Sequence, residues 1–294
     1  MSESGHRAGF VAILGAPNAG KSTLLNRLLG EKLSIVTSKP QTTRSRILGI
    51  LSRPEAQVLL LDTPGLHESS KPLNTALNEA VEEALGSCDL ALLLVDRQRG
   101  WGPVQDQLFA ELGRARKPVI VVGTKCDLVR RRGVEWPPRA AASADAVMDA
   151  SGVTGEGVEA LLAQVVQRLP VSPPLYPEDE LTDRPLRFLA AEEVREAAME
   201  CLGQELPYTL AVEVIAFDES RPDLTVIRAN VLIARNSQKR IVVGKGGERI
   251  RAIGTRARPA IERLVGGRVH LALFVKVDPL WLKNAKRIEA LGYR

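Results

Sequence analysis

At 294 residues with 45% hydrophobic and 26% charged side chains, the chain has the length of two ordinary domains and the composition of a soluble globular protein. Its longest apolar runs are strand-length, MSESGHRAGF lacks the charged-then-apolar order of a signal peptide, and Cys88, Cys126 and Cys201 form no CxxC pair. Membrane spans, secretion, disulfide frameworks and zinc sites are therefore not expected, and a cytoplasmic protein is. Residues 235–294 carry 15 Lys/Arg against 4 Asp/Glu, a net of +11, which leaves −6 for the rest of a chain whose total is +5. A basic block at one end points to a polyanion, with nucleic acid favoured and an anionic membrane surface left open by charge alone.

In chain order, FVAIL (10–14) reads as a buried strand, and GAPNAGKST (15–23) follows it in the pattern G-x-x-x-x-G-K-[ST]. Between a strand and a helix (KSTLLNRLLG), that pattern cradles phosphates through the backbone of Gly15, Ala16, Pro17, Asn18, Ala19, Gly20, Lys21, Ser22 and Thr23. Lys21 supplies a point charge, and the Ser22 hydroxyl can ligate Mg²⁺. QTTR (41–44) lies where a mobile switch would sit. Of its two threonines, Thr43 is preferred over Thr42 as a metal ligand that engages only when the terminal phosphate is present. RILGIL (46–51) and QVLLLD (57–62) can close as a hairpin, which puts one antiparallel strand at the sheet edge.

DTPG places Asp62 at the carboxyl end of a strand, where α/β sheets bind ligands. There it can hold Mg²⁺ through water while the Gly65 N–H meets the last phosphate. Asp62, Thr63, Pro64, Gly65 and Leu66 form the second switch candidate. LALLLV (90–95), PVIVVG (118–123) and AVMDA (146–150) are further strands, alternating with the helical segments KPLNTALNEAVEEALG, PVQDQLFAELGRA and GVEALLAQVVQRL. TKCD (124–127) ends one of these strands, with Thr124 and Lys125 leading to Asp127. That carboxylate can accept two hydrogen bonds from guanine, an arrangement adenine cannot satisfy. Ser151 and Gly152, after the last strand, add a backbone contact to the same base. A lone DTPG or TKxD would be an ordinary turn, but all of them in order predict a GTP-binding, GTP-hydrolysing α/β domain with a mostly parallel sheet.

LPVSPPLYPEDELTDRP (169–185) holds five of the 18 prolines. It divides a domain at 1–170 from one at 186–294, with a linker at 171–185. Beyond it, AAEEVREAAMECLGQ, SQKRIVV, ERIRAIGTRARPAIERLV and PLWLKNAKRIEAL read as helices, and TLAVEVIAF, LTVIRANVLIA and HLALFVKV as strands. Gly244, Lys245, Gly246 and Gly247 lack the four-residue spacer and the Ser/Thr of a nucleotide cradle. They fit the GxxG loop of a KH domain of type II order, which lets a single-stranded nucleic-acid backbone approach. Lys239, Arg240, Lys245, Arg249 and Arg251 would neutralise its phosphates. The expected fold is thus a P-loop GTPase domain of α/β class followed by an α+β KH domain. His6, His67 and His270 stand in no nucleophile–base pattern, so a metabolic enzyme is not expected.

GAPNAGKST, QTTRSRILGI, DTPGLH, AAEEVREAAMECLGQELPYTLAVEV, QKRIVVGKGGERI and WLKNAKRIEALGY together resemble the Era family, bacterial GTPases with a C-terminal KH domain, over nearly the whole chain. The resemblance implies GTP/GDP and Mg²⁺ as ligands, and binding to the 3′ end of small-subunit rRNA and the pre-30S particle. It also implies a role in assembly and maturation of that subunit, peripheral association with the cytoplasmic face of the inner membrane, and no obligate oligomer. Leu66 stands where many GTPases carry a water-orienting glutamine, so slow hydrolysis is expected. Asn18 resembles the asparagine that coordinates K⁺ in cation-dependent relatives. Two residues depart from the family: Thr124 replaces an asparagine, and Gly152 replaces an alanine, a mild change if the contact is through backbone. The alternative is a membrane-associated or tRNA-modification-type GTPase with a different RNA target. A pure RNA-binding protein with a relic nucleotide domain is disfavoured by intact Lys21, Ser22 and Asp62.

Overall fold

The apolar runs of the first half become one six-stranded sheet in the computed structural model, which describes residues 5–37, 39, 42–65, 72–129, 131–203 and 206–293. Contacts divide the chain into two units. One is drawn from Met1–Ser34, Thr43–Ser69 and Leu77–Asp183, the other from Ile35–Thr42, Ser70–Ala76 and Arg184–Arg294.

The first unit contains β1 (Arg7–Gly15), α1 (Lys21–Leu29), β2 (Ile47–Arg53), β3 (Ala56–Asp62), α2 (Pro72–Ser87), β4 (Leu90–Asp96), α3 (Pro103–Arg114), β5 (Val119–Thr124), β6 (Ala146–Ala150) and α4 (Val158–Arg168). The strand order is β2-β3-β1-β4-β5-β6, with every pair parallel except β2 with β3. Every residue of β3 and β4 is buried, as expected for strands covered by helices on both faces. Leu59, Leu61, Leu93 and Val121 pack with Val81, Leu85, Leu108 and Leu112 of α2 and α3 in one core cluster.

Register then decides where the chemistry lies. Ile13 pairs with Asp62, Gly15 with Leu94, Asp96 with Thr124 and Thr124 with Ala150. The carboxyl ends of β1, β3, β4, β5 and β6 therefore meet along one edge, the edge at which open α/β sheets bind ligands.

The expected linker is tied down for most of its length. Val171 bridges Arg7, and the Ser172 N–H donates to the His6 carbonyl. Ile50 N–H donates to the Leu181 carbonyl. Buried Gln57 accepts from the Leu175 and Tyr176 N–H groups at 2.7 and 2.9 Å and donates to the Tyr176 carbonyl. Proline removes donors from this stretch, so a side-chain amide supplies bonds that a backbone ladder would otherwise make.

The second unit contains α5 (Leu186–Cys201), β7 (Leu210–Asp218), β8 (Thr225–Ile233), α6 (Asn236–Val243), α7 (Glu248–Val265), β9 (Val269–Val277) and α8 (Ala285–Ala290). Its sheet runs β7-β8-β9, antiparallel then parallel. Ile227, Ala229, Val231 and Ile233 of β8 pack with Val194, Ala198, Val242, Ile253 and Ile261 from the helices. The last helix is shorter than the amphipathic stretch from residue 279 suggests. Asn284 caps it by accepting from the Arg287 N–H, and the chain before the cap is a turn in which Trp281 is buried and donates to the Thr209 carbonyl.

Arg195 of α5 has no exposed surface. Its guanidinium holds both carboxylate oxygens of Glu192, itself 3% exposed, and donates to the Thr42 carbonyl at 2.5 Å, a contact internal to this unit. Removing one partner leaves the other buried and charged. Arg195→Met alone is expected to lower stability by about 3–5 kcal/mol, and Arg195→Met with Glu192→Leu by less than half of that. Urea denaturation followed by circular dichroism checks this; equal losses in the two variants would contradict it.

Candidate functional site

The loop after β1 turns through two glycines in left-handed or extended positive-φ geometry, Gly15 (φ 146°) and Gly20 (φ 92°), with Asn18 at φ 62° between them. A Cβ on Gly15 would stand 2.7 Å from the Leu94 carbonyl oxygen, so only glycine lets the loop leave the strand here. Gly20 opens α1, whose first residues Lys21, Ser22 and Thr23 direct their N–H groups out of the helix N-terminus. Lys21 is buried and donates to the Gly15 and Ala16 carbonyls at 3.0 and 3.1 Å. Burial pushes its pKa down from 10.5 to about 8, against the Asp62 charge, which holds it up.

Three of the predicted metal ligands come together. The Ser22 hydroxyl donates to Asp62 Oδ2 at 2.7 Å and shares a hydrogen bond with Thr43 Oγ1 at 2.8 Å. Thr42 turns the other way, its hydroxyl donating to the Lys39 carbonyl at 2.7 Å. Asp62 is fully buried. Its second oxygen, Oδ1, is buried without a hydrogen-bond partner among the described residues. Burial raises the carboxyl pKa, while Ser22 and Lys21 oppose the shift. A buried carboxylate oxygen with no donor, beside the Ser22 and Thr43 hydroxyls, is an oxygen donor set that a hard dication can take, so the residues fit Mg²⁺. Thr63 anchors the following turn by donating to the Ile13 carbonyl at 2.8 Å, and Pro64 and Gly65 are buried beside it. A Cβ on Gly65 would meet the Pro17 ring at 2.9 Å, so DTPG and the phosphate loop touch through a glycine. Leu66 lies outside the described residues.

Farther along the same edge, Thr124 is buried at the end of β5. Its hydroxyl reaches back across 105 residues to the Ala19 carbonyl at 2.7 Å and also lies 3.2 Å from the Val95 carbonyl. The hydroxyl therefore ties the end of β5 to the loop that follows β1. Lys125 stands at φ 59° with its ammonium on Asp96 at 2.7 Å, and Asp127 is exposed in the turn that follows. Ser151 is buried, and its Oγ accepts from the Val153 and Thr154 N–H groups. Gly152 is more than a mild substitution, because a Cβ there would meet the backbone of Thr23 and Leu24 at 2.9–3.0 Å. The loop rests directly on α1 and is held by Arg27, which donates to the Gly152 and Val153 carbonyls.

In the second unit, Gly244, Gly246 and Gly247 have φ of 75°, 58° and 82° between α6 and α7. A Cβ on Gly244 would press on the Arg249 N–H at 2.9 Å, whereas one on Gly246 would meet nothing within 4 Å. The loop is therefore tight underneath and open above. Beside it, Asn236, Lys239, Arg240, Val243, Gly244 and Lys245 line a groove of about 540 Å³. Arg249 and Arg251 are only partly available to phosphates. Arg249 donates to the Ile241 carbonyl at 3.0 Å, and Arg251 donates to the Gly246 and Gly247 carbonyls at 2.7 and 3.2 Å, bracing the loop from behind.

A family model for 50S ribosome-binding GTPases matches residues 10–125, and one for KH domains matches 205–282. GTPase Era of Xanthomonas campestris pv. campestris (strain B100) is 42% identical over 299 residues, covering 100% of both chains. GTPase Era of Nitratidesulfovibrio vulgaris (strain DP4) is 40% identical over 307 residues, covering 99% of this chain and 98% of that one. The chain belongs to the Era family of GTPases.

Two solved Era structures, each 36% identical, superpose at a TM-score of 0.90 over 98% of this chain and 99% of theirs. One is Era in complex with MgGDPNP and nucleotides 1506–1542 of 16S ribosomal RNA; the other is an Aquifex aeolicus Era variant bound to GDP·AlF4⁻.

Three contributors in this Era-family chain are absent from the motif reading. Asn26 clamps the chain after α1, accepting from the Leu33 and Ser34 N–H groups at 3.0 and 2.8 Å and donating to the Ser34 carbonyl at 2.7 Å. Asp96 positions Lys125, and Arg27 holds the loop at Gly152. Asp96 had a signal, since LALLLVD ends at the binding edge in an aspartate just as QVLLLD does. The other two act on backbone and leave no pattern.

Lys21 sets a pH dependence for nucleotide binding. Its depressed pKa means the unfolded chain holds more protons than the folded one between about 8 and 10.5, so folding itself gains as pH rises through that window. Bound phosphates favour the ammonium and reverse the preference. GDP affinity is expected to be flat below pH 8 and to fall by up to about tenfold per pH unit above it, with proton uptake on binding. Calorimetric titration in buffers of different ionisation enthalpy measures the uptake, and its absence at pH 9 would contradict the assignment.

Proposed function

We propose that this chain is a GTP-driven switch that binds the 3′ end of small-subunit rRNA through its KH unit and assists assembly and maturation of the 30S subunit. The observation that carries this is the presence in one Era-family chain of the Ser22–Thr43–Asp62 cluster beside buried Lys21 and of the open, cation-flanked GKGG loop. The Era relative solved with 16S rRNA nucleotides, aligned over 98% of this chain, supports the same reading. In the proposed site, Gly15–Thr23 and Gly65 surround the phosphates, and Ser22, Thr43 and Asp62 hold Mg²⁺. Thr124, Lys125, Asp127, Ser151 and Gly152 surround guanine, with Asp127 as the selective group. Mg²⁺ supplies charge neutralisation at the last two phosphates when bound.

Lys239, Arg240, Lys245 and the glycines 244, 246 and 247 take the RNA backbone, while Arg249 and Arg251 support the loop that does so. The domain division at 171–185 marks the change from nucleotide chemistry to RNA binding. Membrane association, where it occurs, is proposed to be peripheral; among the described residues no helix is long and apolar enough to cross a bilayer.

Changing Lys245 and Gly246 to Asp is expected to weaken binding of a 3′-terminal small-subunit rRNA fragment by at least tenfold and to leave RNA-free GTP hydrolysis unchanged. Lys21→Ala should do the reverse. Filter binding and phosphate release on the same preparations separate the two, and a Lys245/Gly246 variant that binds RNA as well as wild type would overturn the RNA assignment.

Hydrolysis is proposed to be slow, because Leu66 offers no group to orient water, and to depend on K⁺ held near Asn18 in the phosphate loop. Turnover in K⁺ buffer is expected to exceed that in Na⁺ buffer severalfold; equal rates would remove the K⁺ proposal.

A further inference from the structure

The sheet of the second unit has two faces of different character. Ile227, Ala229, Val231 and Ile233 of β8, with Leu271, Leu273, Val275 and Val277 of β9, join the core beneath the helices. The alternate residues point the other way: Val226, Arg228, Asn230 and the buried Leu232 of β8, and His270, Ala272, Phe274 and Lys276 of β9, so the face is open around Phe274 and covered at the Leu232 end. Phe274 is 52% exposed in the middle of its strand, opposite Asn230, with Arg228 one pair along, opposite Ala272. Along β9, Lys276 lies two residues on, roughly 6.6 Å away at the rise of an extended strand.

Acids near this ring are already engaged. Glu213 on β7 receives Arg287 at 2.7 and 3.0 Å, and Asp278 receives the same guanidinium at 3.1 Å. The hairpin acids Asp218, Glu219 and Asp223 bound the His270 end, since Asp218 pairs with Val226 and Val226 with His270. Among the described residues, the charged side chains that flank Phe274 on this face are then Arg228 and Lys276, and, after Arg287, Lys276 also helps to hold the Glu213 carboxyl below its ordinary range. Among the described residues β9 pairs only with β8, so its other edge is free, and α6, which ends in the GKGG loop, packs on this same strand.

We propose that this open face is a second contact for single-stranded RNA, in which a base stacks on Phe274 and the flanking phosphates meet Arg228 and Lys276. It rests on the RNA reading of the GKGG loop and extends it: a strand held at the loop crosses the free edge of β9 onto the face. An exposed aromatic flanked by cations is the arrangement that sequence-tolerant single-strand binding uses, because every base offers a ring to stack on and every nucleotide a charge to neutralise. Specificity then belongs to the loop and groove, while the sheet face adds length to the footprint.

The test measures the affinity of the full-length protein for a fluorescently labelled single-stranded RNA copying the 3′ end of small-subunit rRNA. Phe274→Ala is expected to weaken binding by about 5- to 100-fold, and Phe274→Trp to restore it. Arg228→Gln should reduce the slope of log affinity against log salt by about one. GTP hydrolysis without RNA serves as the folding control and should be unchanged in all three. Wild-type affinity in Phe274→Ala overturns the proposal. The variant with Asp at 245 and 246, run in parallel, separates the two failures. If it loses binding while Phe274→Ala does not, only the sheet face is wrong; if it also binds normally, the reading of the GKGG loop is wrong.

Discussion

The nucleotide end of this protein turns on one hydroxyl. Ser22 Oγ stands between Asp62 and Thr43 within 2.8 Å of each, and these three residues come from the first turn of a helix, the end of a strand and an intervening loop. No local preference brings them together. Parallel pairing of β1 with β3 in one register does, and that register is enforced because a slip would carry the fully buried residues of β3 out of their packing on both faces. The apolar sheet is thus the instrument that sets the spacing of three polar oxygens. The metal site is as precise as the core is well packed.

The same dependence aims the Thr124 hydroxyl. Register holds Thr124 beside Asp96 at the end of the buried strand pair, and its hydroxyl donates to the Ala19 carbonyl. What the hydroxyl lacks is a second donor, and the Lys125–Asp96 ion pair stiffens the adjoining residue instead. Gly152 belongs to the same set. With no Cβ, the loop after β6 lies on the α1 backbone, and Arg27 on that helix takes its carbonyls. The phosphate helix, the base loop and β5 are thereby joined by contacts between backbone and side chain that run through α1.

Much of this was legible in the sequence, and the reasons are physical. Strands buried on both faces read as unbroken apolar runs, and FVAIL, QVLLLD, LALLLV and PVIVVG lie within the observed strands or overrun them by one residue. The glycine-lysine motifs were legible because φ above zero and close backbone approach leave few residue choices. The gap between GAPNAGKST and GKGG was legible as spacing alone. Contacts to backbone carbonyls from distant residues were not, since a carbonyl has no residue identity: Arg27 on residues 152 and 153, Arg195 on Thr42, Arg251 on the GKGG loop. The basic residues of the KH unit read as one class of phosphate contacts, and the structure divides them into those that face the groove and those that brace the loop. The final helix was over-read because apolar spacing continues through a turn that buries Trp281, and only the Asn284 cap marks where helix begins.

The chain divides at residue 42, next to the proposed metal ligand Thr43. Thr43 belongs to the first unit and meets Ser22; the preceding residue, Thr42, belongs to the second, with its carbonyl on Arg195. One peptide bond separates them, and a trans peptide fixes successive Cα atoms at about 3.8 Å. Under the proposed role of Thr43, ligating Mg²⁺ fixes one end of that bond, while Arg195, locked by Glu192 in a fully buried pair, fixes the other. Removing either member of this buried pair would leave a charge in a medium that cannot replace its partner with water. The Thr43 hydroxyl and the Thr42 carbonyl thus belong to residues joined by one planar peptide. Within the second unit, the Arg195 bond ties Thr42 to α5, the helix whose Val194, Ala197 and Ala198 share a core with residues of β7, β8 and β9.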